Sequence, residues 1–132
     1  MENNDIRWKQ RFRNFEKALA LLSDAVKILN PDVLQKAGII QFFEMSYELA
    51  WNTLKDLLEE EGFNDVQYPR AAIKKSFEIG LINDGHMWMQ LISDRNLTSH
   101  VYDEEKASVI SKLIIEKYHP LLMDLYNTLK LK

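Results

Sequence analysis

Apolar residues at Trp8, Phe12, Phe15, Leu19, Leu22, Val26 and Leu29 recur at alternating steps of four and three, which lines them along one side of a helix. Asn30 and Pro31 are expected to end that helix, with a short turn at Pro31-Asp32. A second helix is predicted from about Val33 to Glu61. It carries one apolar row at Ile40, Phe43, Tyr47, Ala50, Leu54 and Leu57 and another at Ile39, Phe42, Met45 and Leu49. A helix apolar over so much of its circumference belongs between neighbours or in a subunit interface.

Gly62 suits the left-handed residue that follows a helix, and 63–68 reads as a link. Pro69 suits the first turn of a third helix bearing Ala72, Ile73 and Phe77 and ending near Gly80. Asp84 is the expected N-cap of a fourth, running through Trp88, Leu91 and Ile92 to about Leu97. Asp103, followed by Glu104 and Glu105, marks the acidic start of a fifth. That helix carries Ile110, Ile114, Tyr118, Leu122, Leu125 and Leu129, with a kink expected at Pro120. No stretch alternates with period two. The class is all-α, and the short links predict an up-and-down antiparallel bundle of four to five helices.

Composition narrows this picture. The 132 residues, 46% apolar and 28% charged, suit a single domain over 1–132 with its own core. Seventeen basic against twenty acidic residues give a net charge of -3, so any nucleic-acid contact must be local. The absence of cysteine excludes disulfides, thiolate-held metals and cysteine catalysis. The longest apolar run, Ala18 to Leu22, falls far short of the roughly 20 residues of a membrane span, and the first five residues are unlike an export signal. A cytoplasmic protein without membrane contact is the expectation.

The four glycines are scattered, which leaves no phosphate-cradling loop. His86, His100 and His119 lie 14 and 19 residues apart, without metal-ligand spacing. No cofactor and no metal are expected. What remains is Asp94-Arg95-Asn96-Leu97-Thr98-Ser99-His100-Val101-Tyr102, which gathers a guanidinium, an amide, hydroxyls, an imidazole and a phenol at a helix junction. Arg is a fork matched to phosphate, and His moves protons near neutral pH. Together they suit cleavage of a phosphodiester by internal attack of a ribose 2'-hydroxyl, with His100 moving the proton and Arg95 stabilising the charged phosphorane. Positions five apart on an unbroken helix differ by roughly 140°, so the helix breaks between the two or they meet across a symmetric dimer. The plainer alternative pairs Arg95 with Asp94, Glu104 or another carboxylate while His100 caps or packs.

The run Arg95 to Tyr102 resembles the R-x4-H-x-Y signature of HEPN proteins. More closely, it resembles those encoded beside a minimal nucleotidyltransferase and also known as nucleotidyltransferase substrate-binding proteins. Phe43 to Trp51, Pro69-Arg70, Gly80-Leu81-Ile82 and the Trp88 region extend the likeness over nearly the whole chain. The resemblance implies a HEPN-type bundle that forms a homodimer, with two copies of Arg95 and His100 in a shared cleft. It implies a metal-independent endoribonuclease acting on RNA as the toxin of a toxin–antitoxin pair, with Asn96 helping to hold the site. It also implies a separately encoded nucleotidyltransferase partner that adenylylates Tyr102, adding bulk and negative charge that oppose an RNA phosphate. The alternative is a noncatalytic subunit holding a nucleotide or substrate for that partner. A third is a scaffold bundle. Nucleotidyltransferase activity of its own is not expected, since the chain lacks a Gly-Ser loop and a spaced Asp pair.

Two basic groups, Arg7, Lys9, Arg11 and Arg13, and Arg70, Lys74 and Lys75, are either an RNA-binding rim or solvated helix faces. Trp51 and Trp88 read first as packing residues, His119 as a residue at the kink, and Glu59-Glu60-Glu61 as a solvated helix end.

Overall fold

The computed structural model describes residues 2–98 and 103–132, and in them every regular element is helical. The helices are α1 (Glu2–Ala25), α2 (Val33–Glu60), α3 (Pro69–Glu78), α4 (Gly85–Thr98), α5 (Glu104–Leu113) and α6 (His119–Leu129). A π-helical turn, Ile114–Tyr118, joins α5 to α6 without a break.

The helix boundaries have local causes. Asp32 starts α2 with a reciprocal cap: its carboxylate accepts from the Gln35 N–H at 2.8 Å while its own N–H donates to Gln35 Oε1 at 2.9 Å. At the far end Gly62, with φ +93°, lets the Phe63 N–H reach Leu58 O, the Schellman arrangement that satisfies the last carbonyls. Pro69 occupies the first turn of α3, and Asp84 accepts from the Met87 N–H at 3.0 Å to open α4. α1 stops at Ala25, one turn earlier than its apolar row predicts. Val26 is only partly buried and Leu29 is 88% exposed, so the end of that row lies in the link rather than in the core.

α2 is the spine of the bundle, packing on α1, α3, α5, the π turn and α6. Its first predicted row is wholly buried, from Ile40 to Leu57. The second is graded: Ile39 is buried, Phe42 and Leu49 are half-buried, and Met45 faces out. Long-range pairs fix the directions. Arg7 and Arg11, early in α1, meet Asp56 and Glu59, late in α2, so the two helices are antiparallel. Phe12 stacks on Tyr126 at 5.5 Å while Ser23 reaches His119, which sets α6 antiparallel to α1.

Arg7 and Arg11 are therefore structural cations rather than an RNA rim. Asp56 is buried on α2, and Arg11 Nε approaches its Oδ2 at 2.5 Å, with Lys55 Nζ at 3.5 Å and Arg7 at 3.9 Å from Oδ1. These are ion pairs; neither carboxylate oxygen has a well-aligned hydrogen bond among the described residues. Glu59, expected to be solvated, shares Arg7 and Lys55 and accepts from Gln67 at 2.7 Å.

The kink expected at Pro120 takes the form of the π turn just before it. A proline cannot donate to the carbonyl four residues back and its ring crowds that group, here Glu116, and the wider turn relieves both. His119 follows, with Nε2 2.8 Å from Ser23 Oγ. Burial, and secondarily Lys27, lowers its pKa below the ordinary imidazole value. The unfolded chain then binds the proton more readily. The stability tied to this ring is whole above about pH 6.5 and is lost as pH falls through the folded-state value. Melting curves at about pH 7.5 and about pH 5 are expected to show a larger fall in Tm for the wild type than for His119→Gln. Equal falls would mean that the ring is not desolvated.

Candidate functional site

The last turn of α4 lies against the middle of α2. Arg95 extends its guanidinium toward two acidic residues one turn apart there, with Nη1 3.5 Å from Glu44 Oε2 and Nη2 3.9 Å from Glu48 Oε1. Three residues on, Thr98 is buried with its hydroxyl 2.5 Å from the same Glu44 oxygen and 2.8 Å from Arg95 O, so its single proton serves one or the other. Glu44 thus fastens both ends of the turn. One residue before Arg95, Asp94 Oδ2 accepts from the Tyr118 hydroxyl, and the Tyr118 ring stacks on Phe43 at 5.7 Å. Burial and then that bond raise the phenol's pKa well above its ordinary value, keeping it a donor. The π turn therefore holds the residue immediately before Arg95.

Arg95 itself is incompletely engaged. Contacts of 3.5 and 3.9 Å are longer than the 2.7–2.9 Å typical of a charge-assisted hydrogen bond, and its buried Nε has no hydrogen-bond partner among the described residues. The side chain keeps a quarter of its surface in solvent. The plainer sequence reading, Arg95 paired with a carboxylate, holds in this loose form, and the carboxylates are Glu44 and Glu48 rather than Asp94 or Glu104. Asn96 is exposed one residue further on. His100 and Tyr102 lie outside the described residues; Thr98 and Asp103 flank them. Thr98 and Asp103 line an open groove of about 250 Å³, together with Val33, Ile40 and Ala107.

Tyr47, buried on α2, completes the surroundings. Its pKa is pushed up to about 12, by burial first and then by Glu48, against the opposing pull of Arg95 and Arg70, so it is a neutral phenol at physiological pH. Trp51 donates from Nε1 to Glu48 Oε2 at 3.2 Å, whereas Trp88 is core. Sequence reasoning assigned Glu44 and Glu48 no role at the site. The available signal was two carboxylates four residues apart, flanking Tyr47 on a helix otherwise rich in apolar residues. No three His, Asp or Glu among the described residues are grouped to hold a metal ion, and no helix in them is long and apolar enough to cross a membrane.

Residues 10–131 match the model of the family described as nucleotidyltransferase substrate binding protein like. The chain belongs to that family. It is the HEPN-type group of nucleotidyltransferase partners that the Arg95–Tyr102 run resembles. Alongside this family match, the chain is 31% identical over 107 residues to a Haemophilus influenzae protein named probable ribonuclease HepT, spanning 75% of this chain and 73% of that one. A crystal structure of a Thermus thermophilus protein superposes with a TM-score of 0.79 at 30% identity, over 88% of this chain and 98% of the other. A Haemophilus influenzae structure, described as revealing the fold of a substrate binding domain of a nucleotidyltransferase, matches with a TM-score of 0.67 at 27% identity, over 93% and 96%.

Proposed function

We propose that this chain is the HEPN subunit of a cytoplasmic toxin–antitoxin pair, a metal-independent endoribonuclease controlled by a separately encoded nucleotidyltransferase. The observation that carries the reading is the state of Arg95: a phosphate-matched fork, partly open to solvent, held by ion pairs too long to saturate its donors and placed five residues before His100. An RNA phosphate offers that fork closer, bidentate acceptors. The ribose 2'-oxygen attacks phosphorus, the bond to the 5'-oxygen breaks, and His100 carries the proton from the nucleophile to the leaving oxygen. Arg95 stabilises the phosphorane charge and Asn96 helps hold the turn. A homodimer brings two copies of this set to one cleft. Adenylylation of Tyr102 by the partner would place a phosphate where the substrate phosphate binds. The similarity to a protein named probable ribonuclease HepT supports this reading.

A second reading is favoured by the relative described as a substrate binding domain of a nucleotidyltransferase: the same arginine would hold a nucleotide for the partner without cleaving RNA. Purified protein incubated with RNA in EDTA separates the two. Fragments ending in 2',3'-cyclic phosphate are expected; no cleavage across a broad set of RNAs would leave the binding role. Incubation with the partner nucleotidyltransferase and ATP is expected to add the mass of one AMP to the wild type and none to Tyr102→Phe, and an adduct persisting in that variant would remove Tyr102 as the modified residue.

A further inference from the structure

α4 presents different faces to its two neighbours. Arg95 turns toward α2, whereas Met89 and Ser93 turn toward α3. Between α3 and α4 lies an open groove of about 200 Å³, with Ile73, Phe77 and Met89 as its apolar walls and Lys74 and His86 beside them. The Phe77 ring is half-exposed. It rests against Gly85, the first residue of α4, where a Cβ would stand 3.1 Å from the ring, so the lack of a side chain there lets the aromatic form a groove wall.

The rim of this groove is cationic. Arg70 Nη1 lies 3.8 Å from Met89 Sδ and its Nη2 3.4 Å from Ser93 Oγ, both neutral groups. Glu78 is the one carboxylate of α3 and is taken by Lys75 at 2.9 Å, with Lys74 acting on it from further off. Arg70 and Lys74, one turn apart and both exposed, are in no ion pair among the described residues. An exposed apolar pit with charge at its edge has the anatomy of a protein interface, in which a large side chain is desolvated at the centre and ion pairs stay at the rim.

We infer that this groove docks the partner nucleotidyltransferase, through an acidic segment of that protein that carries one large apolar side chain. The inference rests on the reading of this chain as a nucleotidyltransferase partner. The apolar side chain covers Phe77 and Met89, and carboxylates beside it neutralise Arg70 and Lys74. A second copy of this chain fits less well, since a two-fold contact centred here would set the same cations against themselves. A nucleobase also fits less well, because no amide or carboxylate lines the groove to read its edge.

The test measures binding of the full-length chain to the purified nucleotidyltransferase by calorimetry. The double variant Arg70→Glu/Lys74→Glu is expected to weaken the complex about 100-fold, because like charges then face each other across the contact. Phe77→Ala should weaken it about tenfold, and Lys17→Glu, at an exposed cation of α1, less than about twofold. Raising the salt from about 0.05 to about 0.5 M should weaken binding of the wild type and not that of the charge-reversed variant. Melting curves check the fold of each variant, and the reversal, made at two exposed positions, keeps the test independent of Phe77→Ala. Equal affinity of the wild type and the charge-reversed variant overturns the groove and leaves the partnership standing. No binding by the wild type removes the partnership and the groove together. A reversal that spares partner affinity but abolishes binding of a 2'-O-methyl RNA, or turns a sedimenting dimer into monomer, also overturns the assignment and gives the groove to nucleic acid or to a second copy.

Discussion

Arg95→Ala is expected to lower the rate of RNA cleavage by about 10²–10³-fold, the loss typical when one preorganised donor to a transition-state oxyanion is removed. The loss should come without unfolding. The ion pairs of Arg95 to Glu44 and Glu48 are long and partly solvated, so deleting them removes less than about 1 kcal/mol of stability. Arg95→Lys should rescue little, because an ammonium is a point charge and cannot span two phosphate oxygens. Single-turnover cleavage in EDTA, with circular-dichroism melting of the same preparations, checks both halves. Activity within a few-fold of wild type in Arg95→Ala would end the proposed mechanism, and a collapse of the fold would show that the arginine is structural.

The second large effect is on stability. Arg11→Ala should cost about 2–3 kcal/mol, below the 3–5 kcal/mol found when a fully buried ion pair is broken, because Lys55 and Arg7 remain near the stranded Asp56 carboxylate. Asp56→Asn, which removes the buried charge and leaves two partly solvated arginines, should cost less. The double variant should lie near Asp56→Asn alone. Urea denaturation of the four proteins gives the coupling. Equal losses from Arg11→Ala and Asp56→Asn, simply adding in the double variant, would show that the contact is incidental.

The helices could be read from the sequence where one-dimensional periodicity matches burial, as in α2, whose first row is buried from Ile40 to Leu57. Caps at Asp32, Asp84 and Asp103 were equally visible in part, since a carboxylate reaching an N–H three residues on is a local event: Asp84 and Asp103 were expected and are found. Leu29 misled because an apolar row has no marker of where its neighbour ends; α1 loses its partner surface at Ala25. Arg95 stood out from the residue types around it, but its partners did not. Glu44 and Glu48 are some fifty residues earlier in the chain and meet Arg95 only when α4 packs on α2. The same holds for Arg11 and Asp56. Charges that stand far apart in the chain become partners once two helices fix their spacing.

The π turn before His119 preserves the phase of everything that follows it. Five residues wound with i→i+5 bonds sweep roughly the arc that four cover in an α-helix at about 100° each, so deleting one residue from 114–117 with a return to ordinary winding would leave α6 in phase. Phe12 would keep Tyr126, Ser23 would keep His119, and Tyr118 would stay on Asp94. Homologous chains that differ in length by one residue at this point can therefore share both the clasp between α1 and α6 and the support beneath the arginine.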